Sequence, residues 1–145
     1  MKGLAFVLLP LALAGCATSN NPALIASLAP ADSMGYELIC ESQDCAEQWQ
    51  RAQVWVVKHS HWKIQTATDV LIQTYNPTGS MPTYGFSIMK EPLGNGRYRI
   101  TMSLSCGNIF GCSPPTANQV KKAFYYYLAS GNDLFDRAPR VTGIR

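Results

Sequence analysis

His59-Ser60-His61, followed by Trp62, holds both histidines of the chain. In a short extended segment a His-x-His pair can turn both imidazoles to one side, where they chelate copper or zinc. At a junction between a helix end and a strand start the same rings are polar cover, and they suit the negative end of the helix dipole. The junction reading is favoured, and His59 and His61 are the metal-ligand candidates of the alternative. Hydrolysis would require an activated nucleophile or a third ligand, and the chain contains neither Gly-x-Ser-x-Gly nor His-Glu-x-x-His. Glu37, Glu41, Asp44, Glu47 and Asp69 are the carboxylates from which glycoside chemistry could recruit a pair, but none has a distinctive context. Gly94-Asn95-Gly96 lacks the helix and Lys/Ser pattern of a phosphate cradle and reads as a hairpin turn. No catalytic residue and no cofactor motif stands out, so a non-enzyme is the expectation.

Among five cysteines, Cys16 is set apart by what precedes it: the basic Lys2, the apolar run Leu4 to Ala14, and the small residues of Leu13-Ala14-Gly15-Cys16. An apolar stretch this short cannot cross a hydrocarbon core of about 30 Å and reads as a processed export signal. The segment resembles the signal peptide and lipobox of bacterial lipoprotein precursors. That resemblance implies cleavage before Cys16, diacylglycerol on its thiol and acylation of the new amino terminus. The partner so implied is the lipid bilayer, held through acyl chains that each contribute about 0.8 kcal/mol per buried CH₂. In such lipoproteins an aspartate after the cysteine favours inner-membrane retention; Ala17 stands there and implies the outer membrane, with the domain facing the periplasm.

Cys40, Cys45, Cys106 and Cys112 remain, an even number suited to two structural disulfides in an oxidising compartment. Their spacings do not form the usual paired zinc knuckle, and there is no Cys-x-x-Cys exchange motif. Three pairings are open. Local bonds Cys40 to Cys45 and Cys106 to Cys112 close small loops, whereas crossed bonds constrain the unfolded chain more and are slightly preferred.

These assignments divide the chain into a signal peptide at 1–15, a lipidated start and flexible tether at 16–34, a disulfide-stapled domain at 35–135 and a basic tail at 136–145 with Arg137, Arg140 and Arg145. About one hundred residues suffice for one domain with a modest core. The formal charge of +3, without a dense Lys/Arg patch, excludes nucleic acid as the expected partner.

Apolar Cys45, Trp49, Ala52 and Val56 recur at helical spacing between Ser42 and Ser60, with Ser42 or Asp44 as N-cap; Val54, Trp55 and Val57 widen the stripe. From Trp62 to Thr74 the period is two, which predicts a long half-buried strand with a bulge or turn near Thr68-Asp69. Asn76-Pro77-Thr78-Gly79 ends it. Tyr84, Phe86 and Ile88 on one strand and Tyr98, Ile100, Met102 and Leu104 on the next face inward around the Gly94-Asn95-Gly96 turn, an antiparallel hairpin. Thr116 with Gln119 makes a capping box for a second helix, and Gly131 is its C-cap. The expected fold is α+β with two layers: an antiparallel sheet of two to four strands with two helices on one face, in the order helix-strand-strand-strand-helix.

Phe124, Tyr125, Tyr126 and Tyr127 are consecutive on that second helix, so at 100° steps they point nearly all ways and one or two should stay exposed unless another element covers them. With Trp55 they nominate an interface of Trp55, Phe124, Tyr125 and Tyr126. The leading expectation is therefore a membrane-anchored envelope lipoprotein that contacts an envelope protein partner as a structural or accessory module. The alternatives are a periplasmic metal-binding or hydrolytic protein using His59 and His61, and a cell-wall glycan-binding module using the outward Arg97, Arg99 and Tyr75.

Overall fold

The computed structural model describes residues 21–112 and 114–137. The expected signal peptide, the lipidation site Cys16 and the tail from 138 lie outside the described residues. The elements are α1 (Pro22–Leu28), a single 3-10 turn (Ala29–Ala31), β1 (Glu37–Glu41), α2 (Ser42–His59), β2 (Ile64–Ala67), β3 (Leu71–Thr74), β4 (Tyr84–Gly94), β5 (Arg97–Cys106), α3 (Ala117–Ser130) and α4 (Leu134–Arg137). All strand pairs are antiparallel, and the sheet runs β1-β5-β4-β3-β2.

The expectation of two to four strands and two helices is overturned: among the described residues the α+β domain has five strands and four helices. Two of the extra elements have a simple origin. The stretch read as one long strand is the β2–β3 hairpin, closed where Thr68 N–H donates to the Leu71 carbonyl (2.8 Å) and Thr68 Oγ1 accepts from the amides of Val70 and Leu71. Even-numbered residues face inward on both sides of this turn, Ile64 and Thr66 on β2 and Ile72 and Thr74 on β3. The alternation therefore passes through the reversal unbroken. Strand β1 is only five residues long and has one fully buried position, Cys40, which is too short a pattern to stand out.

Residues 22–31, expected to be tether, are instead folded. Asn21 caps α1 by accepting the Ala23 amide, and Pro22 occupies the first helical position, where its missing N–H costs nothing. Leu28 and Ala31 are buried with Ala123 of α3 and Leu134 of α4 in a second small core. The main core lies between α2 and α3 and one face of the sheet, with Trp49, Trp55, Phe124 and Leu128 packed over Ile72, Ile88, Ile100 and Met102. Tyr125 is buried there, and its hydroxyl accepts the Met102 amide at 2.8 Å. Burial pushes its phenol up to about 12 against the opposing effect of that hydrogen bond.

Helix α2 begins as expected but is preceded by Glu41, without a side-chain cap, in place of the expected Ser42 or Asp44. Val54 and Val57 are exposed, so the stripe is narrower than read from sequence. The capping box of Thr116 and Gln119 is present, Gly131 is left-handed at φ 74°, and Asn95 and Gly96 both take positive φ in the β4–β5 turn.

Two disulfides staple the domain, Cys40 to Cys45 and Cys106 to Cys112, with Cα separations of 5.2 and 5.9 Å. The preferred crossed pairing is thus wrong, and sheet register explains why. Cys40 lies opposite Tyr98 near the start of β5, whereas Cys106 ends that strand. At about 3.3 Å per residue the two cysteines sit roughly 25 Å apart, several times the reach of a disulfide.

Candidate functional site

Helix α2 stops after His59 because Ser60 turns to extended backbone at ψ 132°, so Lys58 and His59 occupy the last turn, where positive charge meets the negative end of the helix dipole. At the end of α3, left-handed Gly131 reverses the chain, and Asp133 Oδ1 accepts the Phe135 amide at 3.1 Å in the first turn of α4. This leaves Asp133 Oδ2 facing α2. It lies 2.8 Å from His59 Nε2 and accepts from Lys58 Nζ at 2.7 Å, while Lys58 Nζ also donates to Asp136. Ligand atoms of His59, Asp133 and Asp136 all lie within 4.8 Å of one another.

The cluster is graded from buried to open. Asp133 is 7% exposed at its side chain, His59 16% and Asp136 57%. Burial by itself would raise the Asp133 carboxyl, but the hydrogen bonds and charges of Lys58 and His59 outweigh it and hold the group below the usual 3.8. Lys58 is shifted above its ordinary 10.5 by its hydrogen bonds to Asp133 and Asp136. The His59 ring is fixed by Trp55 at 4.7 Å and Phe135 at 5.4 Å between centroids, so its orientation is set by packing as well as by the carboxylate.

His59 also borders a cavity of about 260 Å³, whose wall includes Trp55, Phe86, Val120, Phe135 and the Pro114-Pro115 turn. His61 reaches the same cavity from the exposed side, where its ring stands edge-on to Trp62 at 5.6 Å, and it is not one of the clustered ligands. Thus both expected histidines border one pocket, but the groups gathered beside His59 are the carboxylates of Asp133 and Asp136. Those two carboxylates and Lys58 were missed by sequence reasoning. The available signal was an aspartate two residues after a C-cap glycine, positioned to cap a further helix, with a second aspartate three residues on.

The nominated aromatic interface is not a free surface. Trp55, Phe124 and Tyr125 are all at most 1% exposed, and Tyr126 is half-buried against the second core. The physical reason is that Trp55, Phe124 and Tyr125 point into the main core over the sheet, while α1, the 3-10 turn and α4 cover the side of α3 that carries Ala123 and Tyr126. Exposed apolar surface occurs elsewhere, above all at Ile109 and Phe110, each 92% exposed in the loop closed by the Cys106 to Cys112 disulfide. The carboxylates weighed for glycoside chemistry include Glu37 and Glu47, which pair with Arg99 and Arg51. Arg99 also lies 3.9 Å from Glu91, so the outward sheet face considered for glycans carries compensated charge there.

Fold and site together define a small disulfide-stapled α+β domain with a histidine and two aspartates gathered where the ends of two helices meet. No family model matches the chain, and neither a curated protein nor a solved structure matches it. Among the described residues no helix is long and apolar enough to cross a membrane.

Proposed function

We propose that this is an exported, lipid-anchored envelope protein whose domain binds a divalent transition-metal ion through His59, Asp133 and Asp136. The observation that carries the metal reading is the convergence of one imidazole and two carboxylates within 4.8 Å. A mixed nitrogen and oxygen donor set of this kind suits zinc or manganese and leaves positions for water or a second molecule. Lys58 bridges the two carboxylates without metal. Its ammonium neutralises them as a dication would, and being 36% exposed it can swing into water when an ion enters. Export and anchoring rest on Lys2, the Leu4 to Ala14 run and the Leu13-Ala14-Gly15-Cys16 lipobox.

The test is calorimetric titration of the protein with zinc and manganese chloride. Saturable binding should be lost in Asp133→Asn and His59→Ala and be tightened about tenfold in Lys58→Met, where the competing ammonium is gone. Equal binding by all four proteins would sink the metal reading. For the anchor, labelled palmitate should enter the wild-type chain and not Cys16→Ser.

One observation favours a second reading, docking to an envelope protein partner. Ile109 and Phe110 form the tip of a loop held by the disulfide, by Asn108 Oδ1 accepting the Phe110 amide at 2.8 Å, and by Asn108 Nδ2 donating to the Ser80 carbonyl. A braced apolar tip loses little entropy on contact. A stoichiometric partner recovered with wild-type protein and absent with a double Ile109→Ser, Phe110→Ser variant would support it, and identical recovery would exclude this loop.

A further inference from the structure

The β2–β3 hairpin continues past Ile64 and Thr74, because the Lys63 carbonyl accepts the Tyr75 amide at 3.0 Å and holds these two residues side by side. Trp62 and Asn76 follow them, and with His61 and Thr78 these residues line an open cleft of about 420 Å³ at the edge of the sheet. Trp62 is pinned by both its backbone and its ring. Its amide donates to Ser60 Oγ at 3.0 Å, its carbonyl accepts from the same hydroxyl at 2.6 Å, and its indole Nε1 donates to Thr83 Oγ1 at 3.1 Å. With the N–H spent on Thr83, the half-buried ring offers the cleft carbon surface alone. Tyr75, 53% exposed, supplies a second aromatic side chain.

The polar part of the wall is not used by the protein itself. Lys63, Asn76 and Thr78 are exposed, and among the described residues their side chains make no hydrogen bond or ion pair, nor does the Tyr75 hydroxyl. Lys58, Arg51 and Arg99, by contrast, are all engaged by carboxylates. The Asn76 amide both gives and takes hydrogen bonds, the hydroxyls of Tyr75 and Thr78 do either, and Lys63 gives. A metal ion would find one imidazole here and neither carboxylate nor thiolate. A phosphate would find a single ammonium and no helix start, since the wall is drawn from residues outside the helices. A wholly apolar molecule would cover the amide and hydroxyls without pairing them. A pyranose ring meets both demands: its C–H face lies on aromatic carbon and its rim of hydroxyls both donates and accepts. The volume falls in the range of about 300–1,000 Å³ for ligand pockets.

We infer that this cleft binds a saccharide, with the C–H face of a sugar ring on Trp62 and Tyr75 and its hydroxyls on Asn76 and Lys63. Tyr75 follows β3, and β4 separates it from Arg97 and Arg99 on β5, so the glycan surface lies at the edge hairpin and not on the sheet face those arginines share. The site shares no residue with the cluster of His59, Asp133 and Asp136. It therefore stands or falls independently of the metal reading.

The experiment titrates the full chain with chitotetraose, cellotetraose and sorbitol and follows the indole N–H signals in ¹⁵N–¹H spectra, where Trp62→Phe identifies the Trp62 signal by deleting it. At least one tetrasaccharide should shift the Trp62 signal saturably and leave those of Trp49 and Trp55 unmoved. Sorbitol, which has the hydroxyls but no ring face, should bind at least about tenfold more weakly. Tyr75→Ala and Asn76→Ala each change an exposed side chain, so their thermal midpoints should match wild type while sugar affinity falls about fivefold or more. Asp136→Asn should bind the sugar as wild type does. The inference is overturned if neither tetrasaccharide shifts Trp62, if sorbitol shifts it with equal affinity, or if either Tyr75→Ala or Asn76→Ala binds as tightly as wild type.

Discussion

Asp133 makes its several contacts with one carboxylate, and its consequences are electrostatic. Its folded pKa lies below 3.8, so the folded state holds the proton less tightly than the unfolded chain. The stability it contributes is therefore full above the ordinary carboxylate pKa and is lost as pH falls through the folded value. Urea unfolding should show a drop in midpoint below about pH 4 in wild type that is blunted in Asp133→Asn, and at neutral pH that variant should be about 1.5–3 kcal/mol less stable, the range for hydrogen bonds to charged groups. Lys58 has the opposite sign: its folded pKa is raised, so its contribution is complete below 10.5 and fades in strong alkali. Tyr125→Phe isolates a neutral case, because it leaves the Met102 amide buried without its acceptor; a loss of about 1–3 kcal/mol by denaturant titration is expected. At this scale the sequence exposed His59 and His61 by their clustering, yet it could not mark which carboxylate meets His59. Asp133 lies 74 residues away along the chain.

Element ends position the site more than element interiors do. Thr116 Oγ1 accepts the Gln119 amide while Gln119 Oε1 accepts the Thr116 amide, so two of the free donors at the start of α3 are satisfied reciprocally. Thr116→Ala should cost about 0.5–2 kcal/mol, read as a shift in thermal midpoint. At the other end, Gly131→Ala places a side chain at φ 74°, which costs on the order of 1–2 kcal/mol. Because Gly131 sets the direction in which Asp133 leaves α3, metal affinity should fall in this variant by more than in Thr116→Ala, a comparison that calorimetry resolves. Both caps were legible from sequence, since a cap is a contact among residues three or four apart. The β2–β3 turn was legible only as a break near Thr68-Asp69, because the inward parity is the same on both sides of it.

The whole molecule is held by two short-loop disulfides with different surroundings. Cys40 and Cys45 are both buried, whereas Cys106 is exposed at the end of β5. Mild reduction followed by alkylation and mass spectrometry should therefore label Cys106 and Cys112 before Cys40 and Cys45. Sequence separations of 5 and 6 make each bond worth about 2 kcal/mol in the chain-entropy estimate, so replacing either pair by serine should lower stability by that order and leave the fold intact. By itself the sequence determined the local features: the inward faces of β4 and β5, the Asn95-Gly96 turn, both ends of α3, and the cysteines as disulfide partners, all readable from neighbours a few residues apart. Only the tertiary structure decided which cysteines join, that Phe124 and Tyr125 of α3 are buried over the sheet while α1 and α4 cover Tyr126, and that the cationic end of α2 meets the carboxylates at the start of α4. Those outcomes depend on strand register and helix packing between segments far apart in the chain, where one residue's type carries no record of its partner.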